Sequence, residues 1–276
     1  MFFYSRFKRS TQLMLLSSFV LIFQGSWAGL AFAGVIALQT PAGLQVGDQF
    51  RFIFVTPATT NATSSDITTY DSFVNQQANG ATYNGQTIHW LAIGSTTTVD
   101  ARVHAGLTNS GVFMANGTEI ATSANIVPGG LWYGGSLLAQ PIQDLGGNSY
   151  SGTVWTGTSG VGTEYKSTVN NVVIEWGLGT NAVATDTSIV YDNHIEVGQL
   201  QTNVSGDVWL SVGYADGLQL NTNQYQMYGI SDVQTAVPEP STLLVSAMGV
   251  LVAGVSKWKS WRWRRMVPET AIPRIT

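Results

Sequence analysis

The sequence predicts an α+β domain, rich in β-structure and carrying one early amphipathic helix, followed by a separate C-terminal transmembrane helix. An all-β sandwich is the alternative. Three observations lead to this reading. Only one stretch of the middle places apolar residues at helical spacing behind a helix-start signal. Short apolar runs then recur, separated by Gly, Asn, Asp and Thr. A sixteen-residue uncharged run, Ser241 to Ser256, stands near the end with basic residues behind it.

Taken in order, the first element is a leader. Arg6, Lys8 and Arg9 precede an apolar segment from Leu13 to Phe23, and Ala31-Phe32-Ala33 follows. A basic start, a short apolar core and an A-x-A site make a secretory signal peptide, cut by signal peptidase after Ala33. Cleavage after Ala28, or an uncleaved anchor, are the alternatives. Residues 34–236 are then the exported domain.

Within that domain, Gln49 to Thr56 alternates as a half-buried strand does. Ser64 or Ser65 can cap a helix over about 66–78, with Asp66 near the positive end of its dipole. Ile67, Tyr70, Phe73, Val74 and Gln77 follow at helical spacing, and Asn79-Gly80 ends the run. His89 to Ile93 reads as a buried strand. Asn116-Gly117 between two apolar runs predicts a hairpin. Further strands are expected at Val154-Trp155, Val172 to Trp176, Ile189 to Tyr191, Val208 to Val212 and Tyr225 to Ile230. Gln234 to Pro240 is the linker to the tail.

Charge is distributed unevenly. Between Gly34 and Ala236 stand three basic residues, Arg51, Arg102 and Lys166, against fourteen acidic ones. Nucleic acid is excluded as a partner, because phosphate neutralisation needs clustered Lys and Arg. The chain has no Cys, which removes disulfides, Cys-zinc sites and thiol catalysis together.

The tail has three parts: Val237-Pro238-Glu239-Pro240, the apolar run, and the cluster Lys257, Lys259, Arg262, Arg264 and Arg265, interleaved with Trp258, Trp261 and Trp263. A helix over about 241–256 rises about 24 Å, short of a ~30 Å hydrocarbon core. Interfacial indoles and snorkelling basic side chains extend it. Basic residues on its C-terminal side predict a cytoplasmic end. In this order, behind an export signal, residues 237–265 resemble the PEP-CTERM sorting tail of Gram-negative bacteria. The resemblance implies that an exosortase, a membrane-embedded cysteine transpeptidase or protease, recognises the motif and cuts near it. It also implies an inner-membrane-anchored intermediate and delivery to the cell surface or the extracellular matrix, with extracellular polysaccharide a further partner class. Residues 266–276 depart from the pattern, since such tails stop soon after the basic cluster.

The domain carries a second resemblance. FIFVT, SSDITTYDSFV, HWLAIGSTTTVDAR, GVFMANGTEIA, LWYGGSLLAQPI, VWTGT and YQMYGIS follow one another over 48–235. The series is similar to bacterial secreted domains with a C-type-lectin-like or endostatin-like fold. That likeness implies a lectin-like single domain. Such domains are often stapled by disulfides, so here packing around Trp90, Trp132, Trp155 and Trp176 has to replace them.

No catalytic constellation stands out. His89, His104 and His194 share no metal-ligand spacing, and there is no G-x-S-x-G elbow. No cofactor is expected. Calcium is the alternative, through Asp192, Asn193 and Glu196, three oxygen-bearing side chains within five residues. Asp100 and Arg102 in TVDAR are read as a buried structural pair rather than a catalytic one. Tyr83, Trp132, Tyr133 and Trp155 could stack on sugar rings, though core packing is their default role. The expected function is an exported, exosortase-sorted surface or matrix protein without enzymatic activity. A carbohydrate- or calcium-binding lectin-like module is the alternative, and a secreted hydrolase with convergent acids is the second alternative.

Overall fold

The structure is a computed structural model, and it describes residues 35–133, 137–169, 172–180, 193–200, 209–212 and 218–238. Along the chain come β1 (Ala37–Leu38), β2 (Gln49–Val55), α1 (Ile67–Gln77), β3 (Thr82–Tyr83), β4 (Gln86–Thr87) and β5 (Trp90–Ile93). Then follow α2 (Ala101–Ala105), β6 (Gly111–Phe113), β7 (Glu119–Ala121), β8 (Gly152–Trp155), β9 (Lys166–Val169) and β10 (Val172–Glu175). The last four are β11 (His194–Leu200), β12 (Leu218–Leu220), β13 (Gln226–Ser231) and β14 (Gln234–Thr235).

This corrects the expected fold class. The described residues are mostly β, with two helices of 11 and 5 residues where one was expected. The expected α+β class with a single helix therefore gives way to a mostly β one. Nine strands join in one connected sheet, and the others form a three-stranded sheet, β1-β3-β4, and the pair β10-β9. No described helix is long and apolar enough to cross a membrane. The segment 241–256, named for that role, lies outside the described residues, as do the signal segment with Ala31 and Ala33, the basic cluster 257–265 and residues 266–276.

The large sheet runs β12-β11-β8-β13-β2-β6-β7, with β5 also on β13 and β14 also on β2. Strand β13 is its junction. Gln226 and Met227 pair in parallel with Val154 and Trp155. From Tyr228 onward the same edge pairs antiparallel with β5. The opposite edge pairs Tyr228 to Ile230 with Val55 to Ile53. β2 continues the pairing with β14, where Gln234 opposes Phe50. Three residues of the β13–β14 segment there face two of β2, a β-bulge. The bulge leaves the Phe52 N–H without a ladder partner, and it donates instead to Ser231 Oγ at 2.9 Å.

β2 was expected to be half-buried, but every residue after Gln49 is buried. Both faces of the sheet are covered. Phe50, Phe52 and Phe54 enter one core with Tyr70 and Val74 of α1, Trp90, Trp155 and Met227. Ile53 and Val55 enter the other with Ala101 and Ala105 of α2, Trp132, Trp209, Tyr228 and Ile230. Trp90, Trp132, Trp155 and Trp176 are all fully buried. In a chain without Cys, these large side chains supply the apolar area that holds the layers together.

Arg51 sits on the second face and is 2% exposed. Its Nε donates to Ser231 O at 2.6 Å, and Nη1 donates to Ala105 O at 2.6 Å and Gly106 O at 3.1 Å. One guanidinium thus satisfies the carbonyls at the end of α2 and ties that helix to the bulge. Burial pushes its pKa down to about 10, and Asp232 opposes the shift; it remains cationic at neutral pH.

Helix α1 is capped one residue later than expected. Asp66 is the N-cap, accepting from Thr68 N–H at 3.0 Å, while Ser64 Oγ accepts from Asp66 N–H at 3.1 Å. Asp71 on this helix accepts from Ala92 N–H at 2.8 Å and faces His104 Nε2 at 2.9 Å, joining α1, β5 and α2. The Asn116-Gly117 hairpin forms between β6 and β7 as expected. Strands also form at β8, β10 and β13, close to the ranges read from the sequence. Trp209 to Val212 is not a strand; Trp209 and Leu210 are buried in a turn. Ile189 to Tyr191 lies outside the described residues.

Gly229 sits where β13 passes under α1. A Cβ there would lie 2.3 Å from Phe54 Cε1 and 2.5 Å from Val74 Cγ1. Gly229→Ala should destabilise the fold by about 1–3 kcal/mol through overpacking. Urea unfolding checks this: a clearly lower midpoint with an unchanged slope is expected.

Candidate functional site

Two places converge on function: a cleft between α2 and the β8–β9 connection, and the point where the chain leaves the sheet toward its tail.

The cleft has a volume of about 790 Å3. One wall is the Thr96 to Asp100 turn that links β5 to α2, and the other is Ser159 to Lys166. Gly157 makes their approach possible. It has φ 59°, and a Cβ on it would lie 2.6 Å from both Ser95 O and Leu178 N. Hydroxyls order both walls: Ala101 N–H donates to Ser95 Oγ at 2.9 Å, Ser95 Oγ and Thr158 Oγ1 lie 3.0 Å apart across the two segments, and Ser159 and Thr163 pair at 2.8 Å.

Two acids lie on this cleft. Asp100 Oδ1 accepts from the Glu164 N–H at 2.8 Å, so one acid positions the backbone of the other. Glu164 is 6% exposed. Its Oε2 pairs with Lys166 Nζ at 2.9 Å, and the same ammonium reaches Glu175 Oε1 at 2.7 Å. Among the described residues, Glu164 Oε1 is buried without a hydrogen-bond partner. Burial pushes the Glu164 carboxyl above its ordinary range, although Lys166 pulls the other way. The two carboxylates push the Lys166 ammonium upward. Desolvation prevails at Glu164 because its carboxylate is buried while the lysine is half exposed.

Asp100 and Arg102 are not the buried pair expected of them. Among the described residues they form no ion pair with each other. Arg102 is half-buried and reaches Val161 O at 3.5 Å, while its N–H donates to Gly162 O at 3.0 Å. Each residue separately fixes the 159–164 wall to the start of α2. The buried arginine of this domain is Arg51, whose place in an apolar strand was the overlooked signal. Glu164 and Lys166 were also missed, since nothing in a Thr- and Gly-rich stretch marks them before Asp100 is brought alongside.

Two of the three calcium candidates are described, Asn193 and Glu196. Asp192 lies outside the described residues. Asn193 is in a turn with φ 60°, its carbonyl accepting from Asn221 N–H at 2.8 Å. Glu196 is inside β11 and fully buried, its Oε1 accepting from Ser211 Oγ at 2.8 Å. Among the described residues, no three His, Asp or Glu side chains gather closely enough to hold a metal ion. Of the proposed sugar-stacking aromatics, Tyr83, Trp132 and Trp155 are core residues, while Tyr133 is exposed.

At the tail, the expected linker is shorter than its sequence suggests. Gln234–Thr235 is strand β14, and pairing continues through Ala236 N–H to Asp48 O at 2.8 Å. Val237 N–H donates to Tyr83 Oη at 3.2 Å, and Thr40 Oγ1 donates to Val237 O at 3.4 Å. Of the sorting motif, Val237 and Pro238 are described; Glu239 and Pro240 lie outside the described residues.

No protein-family model matches the chain, and no curated protein matches it.

The Glu164 shift has a sign that can be checked. A carboxyl with a raised folded pKa binds its proton more tightly when folded, so its contribution is present at low pH and lost as pH rises through that interval. Glu164→Gln removes the titration. The stability of the parent relative to the variant should therefore fall between about pH 4 and pH 7. Urea midpoints at both pH values measure it, and a relative stability that rises with pH would show that the Lys166 pair outweighs burial.

Proposed function

We propose that the chain is an exported, exosortase-sorted protein of the cell surface or extracellular matrix, and that it acts without catalysis. The observation that supports this most is the way the fold ends. Backbone pairing and the Tyr83 and Thr40 hydroxyls hold the chain as far as Val237, and the next residue opens Pro238-Glu239-Pro240. Processing beyond Pro238 would remove no strand of the sheet. The apolar segment and its basic flank would tether the exported domain to the inner membrane until the sorting enzyme acts.

In the cleft, Asp100 and Glu164 are each engaged through one oxygen, by an N–H and by Lys166. That commitment favours holding a ligand over serving as a free acid and base pair. A second reading, a ligand-binding module displayed at the surface, draws its support from this cleft.

The sorting proposal is tested by a stop after Pro238. The truncated protein should melt within about 2 °C of the parent domain, because every described residue is kept. Its destination should change, from delivery at the surface to release into the periplasm or medium. Fractionation with surface-protease accessibility measures the destination. Unchanged surface delivery would overturn the proposal.

A further inference from the structure

We infer that the cleft between Thr96 to Asp100 and Ser159 to Lys166 binds a neutral saccharide, with Glu164 as its central polar contact. The inference rests on the binding-module reading and names its ligand class.

Three observations carry it. First, the cleft's volume of about 790 Å3 lies within the range of small-molecule sites, about 300–1,000 Å3. Second, its lining is chemically suited to hydroxyl groups. Thr98, Ser159 and Thr163, all lining the cleft and none of them buried, each both donate and accept, as sugar hydroxyls do. The exposed Val103 adds an apolar surface beside them for the C–H face of a ring. Third, Glu164 lines the cleft, and its Oε1 is buried and without a partner among the described residues. A buried acceptor left unpaired is destabilising, and a ligand donor removes that penalty. Lys166, half exposed, holds the other oxygen of that carboxylate, Oε2, at 2.9 Å.

The charges select among ligand classes. Asp100 and Glu164, with Glu175 behind them, repel anions. A multivalent cation would want six or more oxygens, and would have to displace Lys166 from both of its carboxylates. An uncharged polyhydroxyl compound meets neither obstacle. Its hydroxyls can donate to the carboxylates and exchange bonds with the threonine and serine hydroxyls.

The test uses the full chain purified in detergent. Thermal midpoints and calorimetric titrations are recorded with cellopentaose, laminaripentaose, maltopentaose and chitopentaose, and with calcium chloride and polygalacturonate as charged probes. At least one neutral oligosaccharide should raise the midpoint. Glu164→Gln and Thr163→Val should each weaken its binding about tenfold, the scale of one lost hydrogen bond to a buried or charged group. Val173→Thr, on exposed β10 away from the cleft, should leave binding unchanged. The Thr163 variant guards against a Glu164 variant that fails to fold. A shift with calcium or polygalacturonate alone would overturn the saccharide assignment while leaving the binding-module reading in place. No shift with any probe would remove both. Neutral binding that neither variant weakens would overturn the assignment of this cleft.

Discussion

Strand β13 is the constraint on which the rest of the domain depends. Three of its six residues pair with β2 on one edge, and all six pair with β8 and then β5 on the other. Met227 enters one core and Tyr228 and Ile230 enter the second, so neither core closes without this strand. It lies near the end of the domain, far along the chain from β2. Closure therefore waits for almost the whole domain to be available, as in other folds dominated by non-local pairing. Two features follow locally from that junction. Gly229 has no side chain because α1 and Phe54 occupy its space. The bulge after Ile230 frees Ser231 to serve Phe52 and Arg51.

The polar interior is economical. Arg51 satisfies three carbonyls from two separate segments, and Asp71 joins two helices to a strand. These contacts connect elements that disulfides would otherwise staple, and they add direction to the non-directional packing of the tryptophans. Glu164 differs from them. It is held in place by Asp100 through its own backbone, but its carboxylate is only half satisfied. Incompletely paired buried acids in a cleft point to use rather than to architecture.

Local signals carried much of this fold and little of its cleft. The helix behind Ser64 to Asp66, the Asn116-Gly117 hairpin and the apolar runs at β8, β10 and β13 were legible because periodicity and turn chemistry act over a few residues. The short helix α2 was not, since five residues show no period. The start of β11 was read for oxygen ligands because Asp, Asn and Glu cluster there, yet tertiary pairing with β8 and β12 makes β11 a strand and buries Glu196. The Asp100–Arg102 pairing failed for a related reason: proximity in sequence placed them near one wall, and that wall separated their partners. Glu164 gained its meaning only when Asp100 arrived from sixty-four residues away.

Among the described residues, the hydrogen bonds at Val237 are the last along the chain, one residue before the motif that would be processed. The central claim is that an exported domain ends there and the remainder is address and tether. Intact mass of the protein recovered from a host with a working sorting system tests it most directly. The account predicts a product beginning near Gly34 and ending between Pro238 and Ser241. A product that still carries Arg262 to Arg265 would contradict it, leaving the tail as a permanent anchor and the domain's work at the inner membrane.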